Sequence, residues 1–192
     1  MLKRVSLFSL VMVLACASAF AADAPDRVNK LDWGIEGGGV LTDGSGMDDA
    51  GFIQTNLSYG LTPWIAIGIE GGWWEANTSA ANNESIGVGE ILGDIIVRVP
   101  TIHDKIVPYA LFGMGYAGTY MQNEPATPAQ QGADNSDGSF AWKIGGGLDW
   151  FLNENWAANF EFGFNGNGSS LPQASTNNSD FWSIVGGIKY IF

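Results

Sequence analysis

Apolar residues alternate with polar or small residues along most of this chain, a spacing typical of β-strands that have two different faces. The C-terminal segment shows the pattern most simply, because every second residue counted back from Phe192 is apolar or glycine as far as Trp182. Seven earlier segments alternate in the same way. We predict strands at residues 31–41, 51–61, 64–74, 86–99, 107–120, 139–152, 156–165 and 181–192.

The two faces of these segments indicate two different solvents. In the seventh segment Trp156, Phe160 and Phe162 lie on one face, whereas Asn159 and Glu161 lie on the other. One such strand also occurs in soluble antiparallel sheets. Eight in succession favour a closed sheet with lipid outside, because an open sheet edge in hydrocarbon would leave unpaired backbone groups. The pattern therefore predicts an all-β fold, a transmembrane eight-stranded antiparallel up-and-down β-barrel.

The connections between the predicted strands are alternately short and long. Short ones fall at residues 62–63, 100–106 and 152–155, and long polar ones at residues 42–50, 75–85, 121–138 and 166–179. Outer-membrane barrels have short periplasmic turns and longer extracellular loops. We therefore expect both chain termini on the periplasmic side and the four long loops outside the cell.

The N-terminus reads as a secretory signal peptide. Lys3 and Arg4 precede an apolar run over residues 5–15, which is too short for a membrane-spanning helix, and the small-residue site Ala19-Phe20-Ala21 follows. We predict a signal peptide at residues 1–21, a periplasmic N-terminal segment at residues 22–30 and the barrel at residues 31–192. An alternative is lipoprotein processing at Val13-Leu14-Ala15-Cys16, which would leave Cys16 acylated.

Composition narrows the classes of function. The chain has a formal net charge of −12, which argues against nucleic acid as a partner. Its single cysteine, Cys16, is lost with the predicted signal peptide, so disulfides and zinc-thiolate sites are not expected. No cofactor is expected either.

The inward positions of the predicted strands carry many charged side chains. An eight-stranded barrel has an interior just wide enough for side chains to fill, so we expect an ion-pair network that plugs the lumen. We expect Lys189 to meet Asp32 across the closing seam, and Lys143 to lie near Glu161. The alternative is a narrow, cation-preferring channel for ions or small solutes. The predicted lumen charge network consists of Asp32, Glu36, Glu70, Glu90, Asp94, Arg98, Lys143, Asp149, Glu161 and Lys189.

Catalytic and metal-binding motifs are weak. The sole histidine, His103, lies in a short predicted turn with no serine fixed beside it by the strand pattern, so we do not expect a His-based catalytic triad or an enzyme. The acidic loop at residues 43–48 lacks the ligand spacing of a calcium loop, and no metal site is expected.

Three glycine- and aromatic-rich stretches carry a family resemblance: residues 33–39, 107–116 and 142–156, followed by the aromatic C-terminus. They resemble the small eight-stranded outer-membrane β-barrel family that includes the OmpA transmembrane domain, OmpX and proteins described as porin family. The resemblance implies a location in the bacterial outer membrane, with outer-membrane lipid and lipopolysaccharide as neighbours. It implies a structural or surface-interaction role, with an extracellular ligand at the four long loops.

The same resemblance implies an assembly partner. The C-terminal strand is similar to the signal by which the barrel-assembly machinery recognises its clients. The residues that would form this signal are Trp182, Gly187, Ile188, Tyr190 and Phe192.

Overall fold

A computed structural model shows that the chain forms a closed barrel of eight antiparallel strands, each paired with its neighbours in sequence. The structure describes residues 27–42, 49–77, 85–99, 105–121, 136–168 and 180–192. The first and last strands pair with each other and close the sheet. The strands are β1 (Leu31–Thr42), β2 (Ala50–Gly60), β3 (Ile65–Asn77), β4 (Ser85–Arg98), β5 (Ile106–Met121), β6 (Ser136–Phe151), β7 (Trp156–Asn167) and β8 (Phe181–Ile191).

All eight predicted strands are confirmed, and their ends differ from the prediction by at most about three residues. The largest differences are at the loop end of the barrel, the end at which the four long loops connect the strands. There β3 continues to Asn77 and β6 begins at Ser136. Hydrophobic alternation stops where the hydrocarbon stops, but backbone pairing continues into water, so the sequence pattern underestimates the strands at this end.

The predicted faces are also confirmed. On adjacent strands, Ile69 and Ile91 are 61% and 66% exposed on the outer surface, whereas Glu70 and Glu90 are almost fully buried inside. Every strand has exposed large apolar side chains, and contact with lipid explains them. No helix within the described residues is long and apolar enough to cross a membrane.

The opposite end of the barrel, which we call the turn end, has tight connections. Between β2 and β3 the amide of Leu61 donates to the carbonyl of Ile65 at 2.9 Å, and between β6 and β7 Leu152 donates to Trp156 at 2.8 Å. The hydroxyl of Thr62 accepts from the amide of Ile65 at 2.9 Å and fixes the first of these turns. These bonds hold consecutive strands in register.

Two glycines allow β1 and β8 to approach closely at the seam. A Cβ atom at Gly38 would lie 1.9 Å from the carbonyl oxygen of Ile184, and one at Gly187 would lie 2.1 Å from that of Ile35. Both contacts are with backbone atoms, which cannot move aside without breaking the pairing of the two strands. Closure in this register therefore requires glycine at both positions.

We predict that Gly187→Val destabilises the barrel by about 1–3 kcal/mol, since the added side chain overpacks the seam. Gly186→Val is the matched control, because a Cβ at Gly186 meets only the carbonyl oxygen of Asn159, at 3.5 Å. The measurement is urea unfolding of purified protein in detergent, which removes any contribution from assembly machinery. Equal stability of the two variants would contradict this account of the seam.

Candidate functional site: the barrel lumen

The lumen contains three layers from the loop end to the turn end. An apolar layer lies at the loop end, a charged layer in the middle and a mixed layer of ion pairs and apolar side chains at the turn end. The apolar layer, which we call the loop-end cluster, consists of Val40, Phe52, Trp74, Ala76, Ile86, Val88, Phe181 and Val185.

Aromatic contacts pack the loop-end cluster. The rings of Trp74 and Phe181 lie edge to face with centroids 5.2 Å apart, and Phe52 meets Phe181 at 6.3 Å. All three side chains point into the barrel and are nearly fully buried. The sequence prediction treats the inward face as polar and misses this layer. Its signal is the adjacent pair Trp73-Trp74, which places an indole on each face of β3.

Lys143 lies at the centre of the charged layer and is fully buried. Its ammonium contacts Glu70 Oε1 and Glu161 Oε1, both at 2.6 Å, and Gln54 Oε1 at 3.3 Å. An ammonium group has three N–H donors, so these three acceptors use all of them. The predicted proximity of Lys143 and Glu161 is confirmed, and the same lysine also binds Glu70.

Neutral side chains connect the charged ones. Gln54 Nε2 donates to Glu36 Oε2 at 2.6 Å, and the Tyr109 hydroxyl donates to Glu161 Oε2 at 2.8 Å. Asn159 Nδ2 in turn donates to the Tyr109 hydroxyl at 2.9 Å. These connectors, absent from the predicted network, lie on the inward face of strands whose alternation already assigns them there. They join the ion pairs into one hydrogen-bonded layer.

Two arginines share one carboxylate at the turn end. Arg98 Nη2 donates to Asp32 Oδ2 at 2.5 Å, and Arg27 Nη2 donates to the same oxygen. The other nitrogen of the Arg27 fork, Nη1, donates to Asp149 Oδ2 at 2.7 Å. Arg27 thus bridges carboxylates from β1 and β6, which are three strands apart around the barrel.

The predicted pair of Lys189 with Asp32 is wrong. Lys189 Nζ lies 3.2 Å from Asp149 Oδ1 and 3.8 Å from Glu36 Oε1. Asp32 is held instead by two guanidinium groups, whose forked donors match a carboxylate better than a single ammonium does. Lys189 therefore pairs with Asp149 and Glu36 instead.

Arg27 is the functional residue that sequence analysis misses. It lies in the predicted periplasmic N-terminal segment, residues 22–30, but its side chain enters the barrel and is only 3% exposed. Burial by itself would lower the pKa of Arg27; Asp149 and Asp32 reverse this effect and raise the pKa above its usual value. A basic residue just before the first strand is the only sequence signal for this contact.

Two acids of the predicted network have no ion pair within the described part of the chain. Glu90 Oε1 and Asp94 Oδ1, both on β4, are buried and have no hydrogen-bond partner. Counted over the described lumen, seven carboxylates face four basic side chains. No group of three or more potential metal-ligating side chains converges in the same residues.

The structure places the predicted assembly signal on β8 and just after it. Trp182, Ile188 and Phe192 are exposed on the outer surface, while Tyr190 is partly buried by the rings of Trp156 and Phe192. Recognition of these residues and of Gly187 by assembly machinery stays a prediction. The signal peptide with Cys16, the turn with His103 and the loop at residues 43–48 lie outside the described residues, so those predictions are untested.

A closed eight-stranded barrel with an apolar outer surface and charged side chains inside defines a small transmembrane β-barrel of the bacterial outer membrane. Comparison with family models agrees, since residues 7–192 match the model described as the outer membrane protein beta-barrel domain. The chain belongs to this family. The comparison with curated proteins found no match.

Solved structures show the same fold. The N-terminal β-barrel domain of Pseudomonas aeruginosa OprF is 18% identical, with a TM-score of 0.52, covering 86% of this chain and 98% of that one. Neisserial surface protein A is 11% identical, with a TM-score of 0.63 and coverages of 85% and 96%. Yersinia pestis Ail, the attachment invasion locus protein, in complex with the heparin analogue sucrose octasulfate, is 14% identical, with a TM-score of 0.53 and coverages of 85% and 97%.

We predict that Lys143→Met destabilises the barrel by about 3–5 kcal/mol, because Glu70 and Glu161 would face each other without their shared cation. The measurement is urea unfolding in detergent, followed by tryptophan fluorescence. Lys105→Met is the control, since Lys105 is exposed at the turn end. The triple variant Lys143→Met/Glu70→Gln/Glu161→Gln should recover much of the loss; if Lys143→Met alone is as stable as the control, the charged layer does not hold the lumen together.

Proposed function

We propose that the protein is a closed outer-membrane scaffold with a structural or surface-interaction role, performed by the four long loops and not by transport through the lumen. The observation that supports this proposal is side-chain packing in the lumen at three levels. The charged layer around Lys143 and the ion pairs of Arg27 join non-adjacent strands through the interior, and the loop-end cluster packs side chains from β1–β4 and β8.

The loop-end cluster supports closure against ions in particular. Ions cross an apolar constriction only if water fills it, and a packed aromatic layer excludes that water. Trp74, Phe181 and Phe52 meet ring to ring in this layer. This packing would obstruct hydrated ions that enter from the loop end beside β1–β4 and β8.

A second candidate function is a narrow channel that prefers cations. The observation that favours it is the excess of carboxylates in the described lumen, including Glu90 and Asp94, which have buried oxygens without partners. In that case Glu70, Glu90, Asp94, Arg98 and Lys143 would line the path. A lumen with this charge would attract cations and repel anions.

Single-channel recording in planar bilayers distinguishes the two functions. The closed scaffold predicts no stable conductance steps from the purified wild-type protein, beyond those of a detergent blank. Regular cation-selective steps that shrink in Glu90→Gln/Asp94→Asn would contradict the scaffold and establish the channel. The matched control is Glu154→Gln/Asp180→Asn, which removes the same charge outside the lumen.

The loop sequences indicate the class of ligand that a surface interaction would involve. Residues 42–50, 75–85, 121–138 and 166–179 contain eight acidic residues and no lysine or arginine. Ail has been solved with an anionic heparin analogue, but these loops would repel such a polyanion. We propose a cationic or uncharged partner, with the loops and both termini oriented as expected for a barrel of this class, loops outside and termini periplasmic.

We predict that the protein in nanodiscs binds an oligoarginine peptide and does not bind a heparin oligosaccharide, as measured by fluorescence anisotropy. Binding should weaken as salt is added, and it should weaken in the variant Asp43→Asn/Asp48→Asn/Asp49→Asn. Lys30→Ala, which changes charge at the turn end, is the control. Heparin binding, or peptide binding indifferent to the loop variant, would contradict the proposed ligand class.

A further inference from the structure

The turn end of the lumen holds a built site for a planar cation. Asp32 and Asp149 are almost fully buried and lie on β1 and β6, three strands apart around the barrel. Each accepts a hydrogen bond from a different nitrogen of Arg27. The ring of Phe151 forms a third wall, with the Arg27 Cζ 5.5 Å from its centroid. Two carboxylates and an aromatic face are the groups that recognise a guanidinium.

This site, which we call the cradle, consists of Asp32, Asp149 and Phe151. Apolar packing fixes its walls, because Phe151 belongs to a buried cluster with Val107, Ala157 and Ile191. Asn159 Nδ2 donates to Asp149 Oδ1 at 2.8 Å and orients that carboxylate. The cradle is therefore supported by the barrel independently of Arg27.

Asp32 has further capacity to accept hydrogen bonds. Its Oδ1 is buried and has no hydrogen-bond partner, whereas its Oδ2 accepts from both Arg27 and Arg98. A carboxylate has about four lone-pair sites. Asp32 thus has a buried acceptor that the present occupant of the cradle does not use.

The occupant is attached to the barrel by a short strap, residues 27–30. The amide of Asn29 donates to the carbonyl of Gly60 at 2.8 Å, and the amide of Gly60 donates to the carbonyl of Lys30 at 3.0 Å. Asn29 adopts a left-handed backbone with φ of 59°, which reverses the chain toward the lumen. A Cβ at Gly60 would lie 1.9 Å from the Arg27 carbonyl oxygen, so glycine is required for this approach.

We propose that the cradle is a binding site for small organic cations with a guanidinium group, and that Arg27 is its tethered occupant. The strap fills in cis a site that would otherwise accept such a cation from the turn end. The site lies at the end of the barrel opposite the long loops. The proposal therefore stands whether or not the loops bind a partner.

The test is chemical rescue of Arg27→Ala by methylguanidinium, read as the urea midpoint of unfolding in detergent. The variant should unfold at lower urea than the wild type, and methylguanidinium should raise its midpoint in a saturable way. At ten times its Kd, a ligand that binds only the folded protein shifts the unfolding equilibrium about elevenfold. The wild type should not respond at the same concentrations, because its cradle is already filled.

Two compounds and one variant control for nonspecific effects. N-methylurea has nearly the same shape as methylguanidinium but no charge. Sodium chloride at equal ionic strength supplies charge but not the forked N–H donors of a guanidinium. Neither compound should rescue Arg27→Ala. Lys30→Ala removes one positive charge from the same strap without touching the cradle, and it should neither lose stability comparably nor respond to methylguanidinium.

Three results would overturn the proposal: no rescue beyond that of sodium chloride, equal rescue by N-methylurea, or equal rescue of Lys30→Ala. If Arg27→Ala does not fold, Arg27→Gln keeps part of the side chain and a neutral N–H donor and serves in the same assay. The expected and contradicting results are then the same.

Discussion

The pairing of β1 with β8 is the constraint on which the rest of the structure depends. Hydrocarbon offers no hydrogen-bond partner, so a sheet in a membrane must satisfy its backbone within itself, and only closure does so. With eight strands, closure leaves an interior that side chains must fill. Gly38 and Gly187 at the seam allow this closure by leaving room for the opposing backbone. Because only eight strands close the sheet, the lumen is narrow and consists of packed side chains.

A lumen of this width forces charged side chains into contact with one another. An isolated buried ion is strongly unfavourable. The structure gives Lys143 three acceptors and lets Arg27 and Arg98 share Asp32, while Glu90 and Asp94 on β4 are the described exceptions without an ion pair. Neutral connectors such as Gln54 extend the hydrogen bonding of the layer. The loop-end cluster packs apolar side chains beside it. Packing and hydrogen bonding in the lumen thus have one origin.

The sequence predicted the strands and their faces because alternation records directly which solvent each side chain meets. It also predicted that Lys143 lies near Glu161, since both are inward on adjacent strands. It did not predict the partners of Lys189, because alternation does not give the depth that a long side chain reaches along the barrel. It did not predict the insertion of Arg27, because that residue lies outside a strand. Periodicity gives the face of a residue but not its depth, and for that reason the apolar layer around Trp74 was missed.

The central claim is that alternate positions of each strand face lipid and a packed interior. Single nitroxide labels along residues 156–165, measured by electron paramagnetic resonance in bilayers, test it most directly. We expect collisions with oxygen to alternate with a period of two, frequent at positions 160 and 162 and rare at 159 and 161. A water-soluble relaxant should reach none of these four sites. Oxygen access without that period, or relaxant access at 159 and 161, would contradict a closed barrel with a filled lumen.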